Sequence, residues 1–235
     1  MQVTGQAETQ LNLEGIVIGK VVDFDPESDQ LYTFDLTANN KTITLEILEN
    51  TSTFSTWVED ELSVHHARYG IGGYDEHRTI YARSQHFDTA EEPRRLHLGI
   101  DIWGPAGTQV YNFHDAVVHS FKFNDQYGDY GATIILKYHI NGQVFHALYG
   151  HLSLDSLQGL EEGQHIPAGK AFASFGIPEE NGFWPPHLHF QLIFNMYAFK
   201  GDYPGVCQYS KKAAFLNNSP DPSPILKHTF KSALI

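Results

Sequence analysis

Two histidines one residue apart, His187 and His189, in the run Trp184-Pro-Pro-His-Leu-His-Phe-Gln191, constrain this chain more than any other stretch. Their aromatic and aliphatic neighbours fit a strand better than a helix. Strand side chains alternate faces, so His187 and His189 point one way while Leu188 and Phe190 point into a core. Pro185 and Pro186 suit the beginning of a strand and are poorly tolerated inside a central one. Two imidazoles on one face are half of a metal site. Taken alone, they describe a polar sheet face just as well.

The other half lies in Leu96-His-Leu-Gly-Ile-Asp-Ile102. In a strand, His97, Gly99 and Asp101 share one face and Leu98, Ile100 and Ile102 the other. A helix also brings positions i and i+4 together. Gly99, the two isoleucines and the turn Gly104-Pro-Ala-Gly107 favour the strand. Gly99 leaves open space between the two polar groups, where a metal and its water need room. A histidine and an aspartate here, with one or two histidines from the later strand, make a mixed nitrogen and oxygen donor set. Zinc accepts that mixture, and a catalytic zinc keeps three protein ligands and an open position for water. A third histidine motif, Tyr149-Gly-His151-Leu152, follows the hairpin signal Asn141-Gly142, and alternation puts Tyr149 and His151 on one face.

Composition narrows the partners. A net charge of −13, from 28 acidic and 15 basic residues, argues against nucleic acid or an anionic membrane as the main partner. No run approaches the roughly 18 apolar residues of a membrane span. Cys207 is the only cysteine, which removes an internal disulfide and a multi-cysteine zinc finger and leaves a semi-buried structural thiol. The first fifteen residues lack the charged head and apolar core of a signal peptide, so the expected compartment is the cytoplasm, with export open for a chain trimmed of its leader.

Along the chain, residues 1–11 read as a loose N-terminus. Residues 12–95 read as an N-terminal β meander over Gly15 to Leu48, a short helix over Thr51 to His66 and a charge-rich connector that is either simply solvated or the border of a cleft. Within the meander, Thr42, Thr44 and Glu46 alternate with Ile43, Leu45 and Ile47 as a half-buried strand does. The helix takes Thr51 or Ser52 as its cap and ends at Gly70-Ile-Gly-Gly73. Residues 96–200 form a β domain carrying all three histidine motifs. Residues 201–235, with Pro220-Asp-Pro-Ser-Pro224, read as an extended C-terminal segment packed on that domain. The expected class is mainly β, with antiparallel sheets forming a metal-bearing groove.

His97-x-Gly-x-Asp101, Tyr149-Gly-His151-Leu152 and His187-Leu-His189-Phe190, in this order, resemble the lysostaphin-like zinc metallopeptidases. Gly107-Thr-Gln-Val110, the turn Gly128-Asp-Tyr-Gly131 and Leu160 to Gly169 look like that family's connecting segments. The resemblance spans His97 to Gln191. It implies a groove of antiparallel sheets with Zn2+ on its floor, held by His97, Asp101 and His189. It makes His151 and His187 the unligated catalytic pair, and the reaction a zinc-dependent endopeptidase hydrolysis of a peptide bond by zinc-activated water. The substrate implied is a peptide or peptidoglycan-type peptide.

Two features depart from the family pattern. The segment Phe175 to Pro186 replaces a short Gly- and Ser-rich run, and Gln191 stands where an acidic residue often follows. This version is similar to a subgroup found beside aminotransferase- or kinase-like domains, which implies fused or partner enzyme domains. The alternative function is a non-proteolytic, metal-bearing module that binds peptides or regulates a partner. An iron oxygenase with two histidines and one carboxylate also suits the ligands, although that class spaces its first histidine and carboxylate more tightly.

Overall fold

The computed structural model describes residues 10–88 and 92–234, so of the expected loose N-terminus only Gln10 and Leu11 lie within the described residues. The strands are β1 Leu31–Phe34, β2 Tyr69–Gly72, β3 Leu96–His97, β4 Ile100–Trp103, β5 Gln109–Tyr111 and β6 Ala116–Asn124, followed by β7 Gly131–Ile140, β8 Gln143–Leu152, β9 His165–Ile166, β10 Ala171–Ser174, β11 His187–Ile193 and β12 Val206–Cys207. The α-helices are α1 Leu45–Glu49, α2 Thr51–Val64, α3 Lys212–Asn218 and α4 Ser223–Phe230.

Eight strands make one sheet, in the order β1-β2-β4-β11-β8-β7-β6-β9. It is antiparallel apart from the parallel β1–β2 pair at one edge. The mainly β class expected from the sequence is therefore what forms. β11 sits between β4 and β8, with His187 opposite Trp103 and His189 opposite both Asp101 and Gly150. Leu188, Phe190 and Leu192 enter the main core with Phe113, Ile134 and Tyr149. Each such side chain contributes about 1.5–3 kcal/mol when fully buried. The opposite face carries His187, His189 and Gln191 beneath a second apolar cluster that includes Phe54, Tyr81, Trp103 and Trp184. β11 is consequently buried at every position, polar residues included.

The N-terminal part differs from a meander. Val21 and Val22 enter the core without strand pairing, and of Gly15 to Leu48 only β1 is a strand. The alternation over residues 42–47 gives way to α1, because the Thr44 hydroxyl accepts from the Ile47 amide and caps a helix there. α2 is capped by Asn50 rather than Thr51 or Ser52, its Oδ1 accepting from the Ser52 and Thr53 amides. Gly70 and Gly72 do not terminate that helix; they belong to β2.

The C-terminal segment is not extended. It forms α3 and α4, and Pro222 and Pro224 stand at the cap and first turn of α4, where a missing N–H is tolerated. Ile225, Leu226 and Phe230 of α4 pack into the main core, and Thr229 accepts from the Val21 amide at 2.9 Å. Cys207 is buried, and burial pushes its thiol up to about 11, as suits a structural thiol.

Candidate metal centre

His97, Asp101 and His189 converge in the buried interior between β3, β4 and β11. His97 Nε2 lies 2.9 Å from His189 Nδ1, His189 Nδ1 lies 3.0 Å from Asp101 Oδ1, and Asp101 Oδ1 lies 3.2 Å from His97 Nε2. Two metal bonds of about 2.0–2.1 Å at a tetrahedral angle separate their donors by about 3.3 Å, so this triangle is close to one face of a zinc tetrahedron.

The outer partners decide which ring nitrogens carry lone pairs. His97 Nδ1 donates to the Gly73 carbonyl at 2.9 Å, which leaves Nε2 bare on the neutral ring. Gln191 donates from its amide to the Pro204 carbonyl at 3.2 Å and to the Ser219 hydroxyl at 3.1 Å, so its Oε1 faces His189. His189 Nε2 donates to that oxygen at 2.9 Å, which leaves Nδ1 bare. Asp101 Oδ2 accepts from Arg78, which leaves Oδ1 inward. Three acceptors thus face one another in a buried site, and a cation satisfies all three at once.

Charge follows the same logic. Burial, reinforced by the Arg78 guanidinium, pushes His97 down to about 3 and keeps it neutral. Burial raises the Asp101 carboxyl, but the Arg78 guanidinium beside it outweighs that and holds the group well below the usual carboxylate range. The donor set is therefore the Nε2 of a neutral His97, the Nδ1 that Gln191 leaves bare on His189, and one carboxylate, a combination zinc takes.

Gly99 plays a different part from the one its place in the motif implies. β3 and β4 are separate, and the chain bends at Gly99 so that the His189 ring lies across it. A Cβ there would sit 2.7 Å from His189 Cε1 and 2.8 Å from the Phe190 carbonyl oxygen. The space belongs to the His189 ring.

His151 and His187 complete the site. Their rings lie 4.0 Å apart, and His187 also stacks on Trp103 at 4.0 Å. His187 Nδ1 donates to the Pro185 carbonyl and His151 Nδ1 to the Asn181 carbonyl, each at 2.7 Å, so Nε2 is the basic nitrogen on both. Burial lowers His187 to about 4, and burial with the His187 ring holds His151 well below the ordinary histidine range.

Simple alternation misplaces His151. Tyr149 faces the core opposite Phe190, so an unbroken strand would turn His151 into the core as well. The β7–β8 register slips between Ala132 and Ile134, and His151 adopts φ of 62°. This bulge re-aims the side chain to the face of His187. Backbone bonds from the His151 amide to the Tyr130 carbonyl and from the Gly176 amide to the His151 carbonyl hold it.

Asp101, His151, His187 and His189 open onto a cavity of about 260 Å³. Tyr81, Phe87 and Arg94, from the connector before β3, form part of its wall, with Asp202–Val206 on another side. Sequence reading did not single out Arg78, Gly73 or Tyr130 as parts of this site. Gln191 was within reach, being two residues beyond His189 on the same strand face. Arg78 carried no local signal among the charged residues of its connector.

Residues 95–200 match the sequence profile described as Peptidase family M23. This part of the chain is similar to the M23 peptidases. The resemblance drawn from the three histidine motifs is thereby borne out. Across 132 residues, 53% of this chain, the sequence is 33% identical to the DD-carboxypeptidase/endopeptidase Mpg of Neisseria meningitidis serogroup B (strain ATCC 13091 / M2091), of which the match covers 27%. The chain thus spans about a quarter of the length of the curated relatives it matches. Among solved structures, the catalytic domain of lysostaphin from Staphylococcus simulans aligns with a TM-score of 0.40 at 24% identity, over 57% of this chain and 80% of that one. A zinc-containing peptidase from Vibrio cholerae aligns with a TM-score of 0.33 at 26% identity, over 42% of this chain and 27% of that one. Arg78 and Gly73, which hold the outer sides of two triad residues, lie outside the M23 match.

Proposed function

We propose that this chain is a zinc-dependent metalloendopeptidase acting on peptides of the peptidoglycan type. The observation that carries the reading is the convergence of three lone-pair donors, His97 Nε2, Asp101 Oδ1 and His189 Nδ1, within 3.2 Å of one another beside two further imidazoles. The M23 match and the name of the Neisseria relative, DD-carboxypeptidase/endopeptidase, support it.

When bound, zinc supplies Lewis-acid polarisation of the scissile carbonyl and activation of a water nucleophile. The chain's own part is to manage protons and orientation. His187 and His151 each hold Nδ1–H on a backbone carbonyl and offer a neutral Nε2, so they accept a proton and pass it on. An imidazolium formed in so buried a place is a strong acid, which favours handing its proton to the departing amine.

The test pairs two variants with metal analysis. The wild type carries about one zinc per chain, His189→Ala loses it, and His187→Ala keeps it while cleavage of a muropeptide or peptide library falls by about 10²–10⁴-fold. Equal metal loss in both variants refutes the assignment of roles. Metal retained with no cleavage by the wild type supports the alternative, a metal-bearing binding module.

A further inference from the structure

We infer that Arg78 is a positioning residue of the metal centre: it holds the outer oxygen of Asp101, so that the carboxylate offers the metal Oδ1 alone. The inference rests on the metal reading proposed above. Arg78 is fully buried, and every nitrogen of its guanidinium has a partner. Nη1 donates to Asp101 Oδ2 and, at 3.2 Å, to the Tyr81 hydroxyl. Nε donates to Glu76 at 2.7 Å, and Nη2 to the Gly73 carbonyl at 3.1 Å.

That carbonyl also accepts from His97 Nδ1, so a single backbone oxygen braces the outer sides of two triad residues. The space for the guanidinium is built into the sheet. Gly72 pairs with Asp101 across β2 and β4, and a Cβ on Gly72 would lie 2.6 Å from Arg78 Nη2. The brace is itself fixed, since the His97 amide donates to the Glu76 carbonyl at 2.9 Å and the Arg78 amide to the Arg95 carbonyl at 2.9 Å.

Two physical consequences follow. A carboxylate with both oxygens free can grip a cation through both, filling the position that a catalytic site keeps open for water. Arg78 prevents this by occupying Oδ2 through Nη1, while Nε and Nη2 of the same planar group are fixed on Glu76 and the Gly73 carbonyl. The charges also alternate outward from the centre, from the cation site to Asp101, Arg78 and Glu76. A buried guanidinium is costly unless paired on this scale, and here carboxylates flank it on two sides. The segment before the M23 match is thus part of the metal centre.

The experiment uses the full chain stripped of metal by a chelator and titrated with zinc and with cobalt(II), whose visible bands report coordination number. Arg78→Met, checked for folding by circular dichroism, is expected to shift the cobalt bands towards a higher coordination number and to change zinc affinity about 10–100-fold. Arg78→Lys, which restores charge without the fork, is expected to fall between. A folded Arg78→Met with wild-type affinity and wild-type cobalt bands overturns the inference, as does a loss of thermal stability alone. If Arg78→Met does not fold, Arg78→Lys decides by the same two readouts. A wild-type protein that takes up neither metal removes the metal reading itself, a result distinct from any behaviour of the variants.

Discussion

Replacing Gly99 by alanine puts a methyl group where the His189 ring now lies. The new carbon would stand 2.7 Å from Cε1, 2.8 Å from Nε2 and 2.8 Å from the Phe190 carbonyl oxygen, so the contacts must open by about 0.6–0.7 Å to become ordinary. The carbonyl belongs to β11, which is paired on both sides and gives little. The ring is the part that moves. Nε2 is held by Gln191 with or without metal, and in the metal-bound protein Nδ1 is committed as well, so the ring then has least freedom to yield. The strain therefore falls mainly on the bound state. Overpacking of this kind costs about 1–3 kcal/mol, or about 5- to 140-fold in affinity. A zinc titration of Gly99→Ala against a chromogenic chelator measures it directly. The stabilisation of the melting temperature by added zinc should shrink in parallel, since that stabilisation follows the dissociation constant. Wild-type zinc affinity in Gly99→Ala would refute the claim that the glycine makes room for the ring.

Two further predictions concern the other histidines. His151→Asn tolerates the left-handed backbone and is expected to keep metal and fold while losing about 10²–10⁴-fold in turnover; His151→Val, β-branched at the same φ, is expected to be about 1–3 kcal/mol less stable than His151→Asn in urea melts, and equal stability would remove the strained bulge from the account. His146 packs against His119 on another part of the sheet, and burial lowers it to about 4. The unfolded chain, with His146 near its ordinary value, then binds more protons between about pH 6.5 and pH 4, so stability drops as pH falls through that window. His146→Gln should flatten the fall in melting temperature over the same range, and an unchanged slope would count against a buried neutral ring there.

The candidate site was legible where its geometry is local. Two-residue alternation along β11 is enough to put His187 and His189 together and to send Leu188 and Phe190 into the core. The four-residue spacing of His97 and Asp101 likewise survives the bend at Gly99, which only changes what the glycine is for. Short-range alternation was a poor guide where a cap or a slip intervened. Thr42 to Ile47 alternates like a strand, yet the Thr44 hydroxyl starts α1, and Leu45 is left largely exposed at 65%. Pro222 and Pro224 suggest an extended tail, but prolines at a helix start cost nothing, and the apolar residues beyond them had a core to join.

What the sequence by itself carried is the family resemblance, the mainly β class and the pairing of His187 with His189 and of His97 with Asp101, because these rest on residue type and on spacings of two to four. Only the tertiary structure decided the direction of His151, which depends on a bulge whose register is set by β7. It alone decided the protonation pattern of the triad, since Gly73 and Arg78 reach His97 and Asp101 across 24 and 23 residues of chain. A carbonyl or a guanidinium that acts through such a contact leaves no periodic trace, because its position is set by how β2 and the connector after it pack against β3 and β4 and not by its neighbours in the chain.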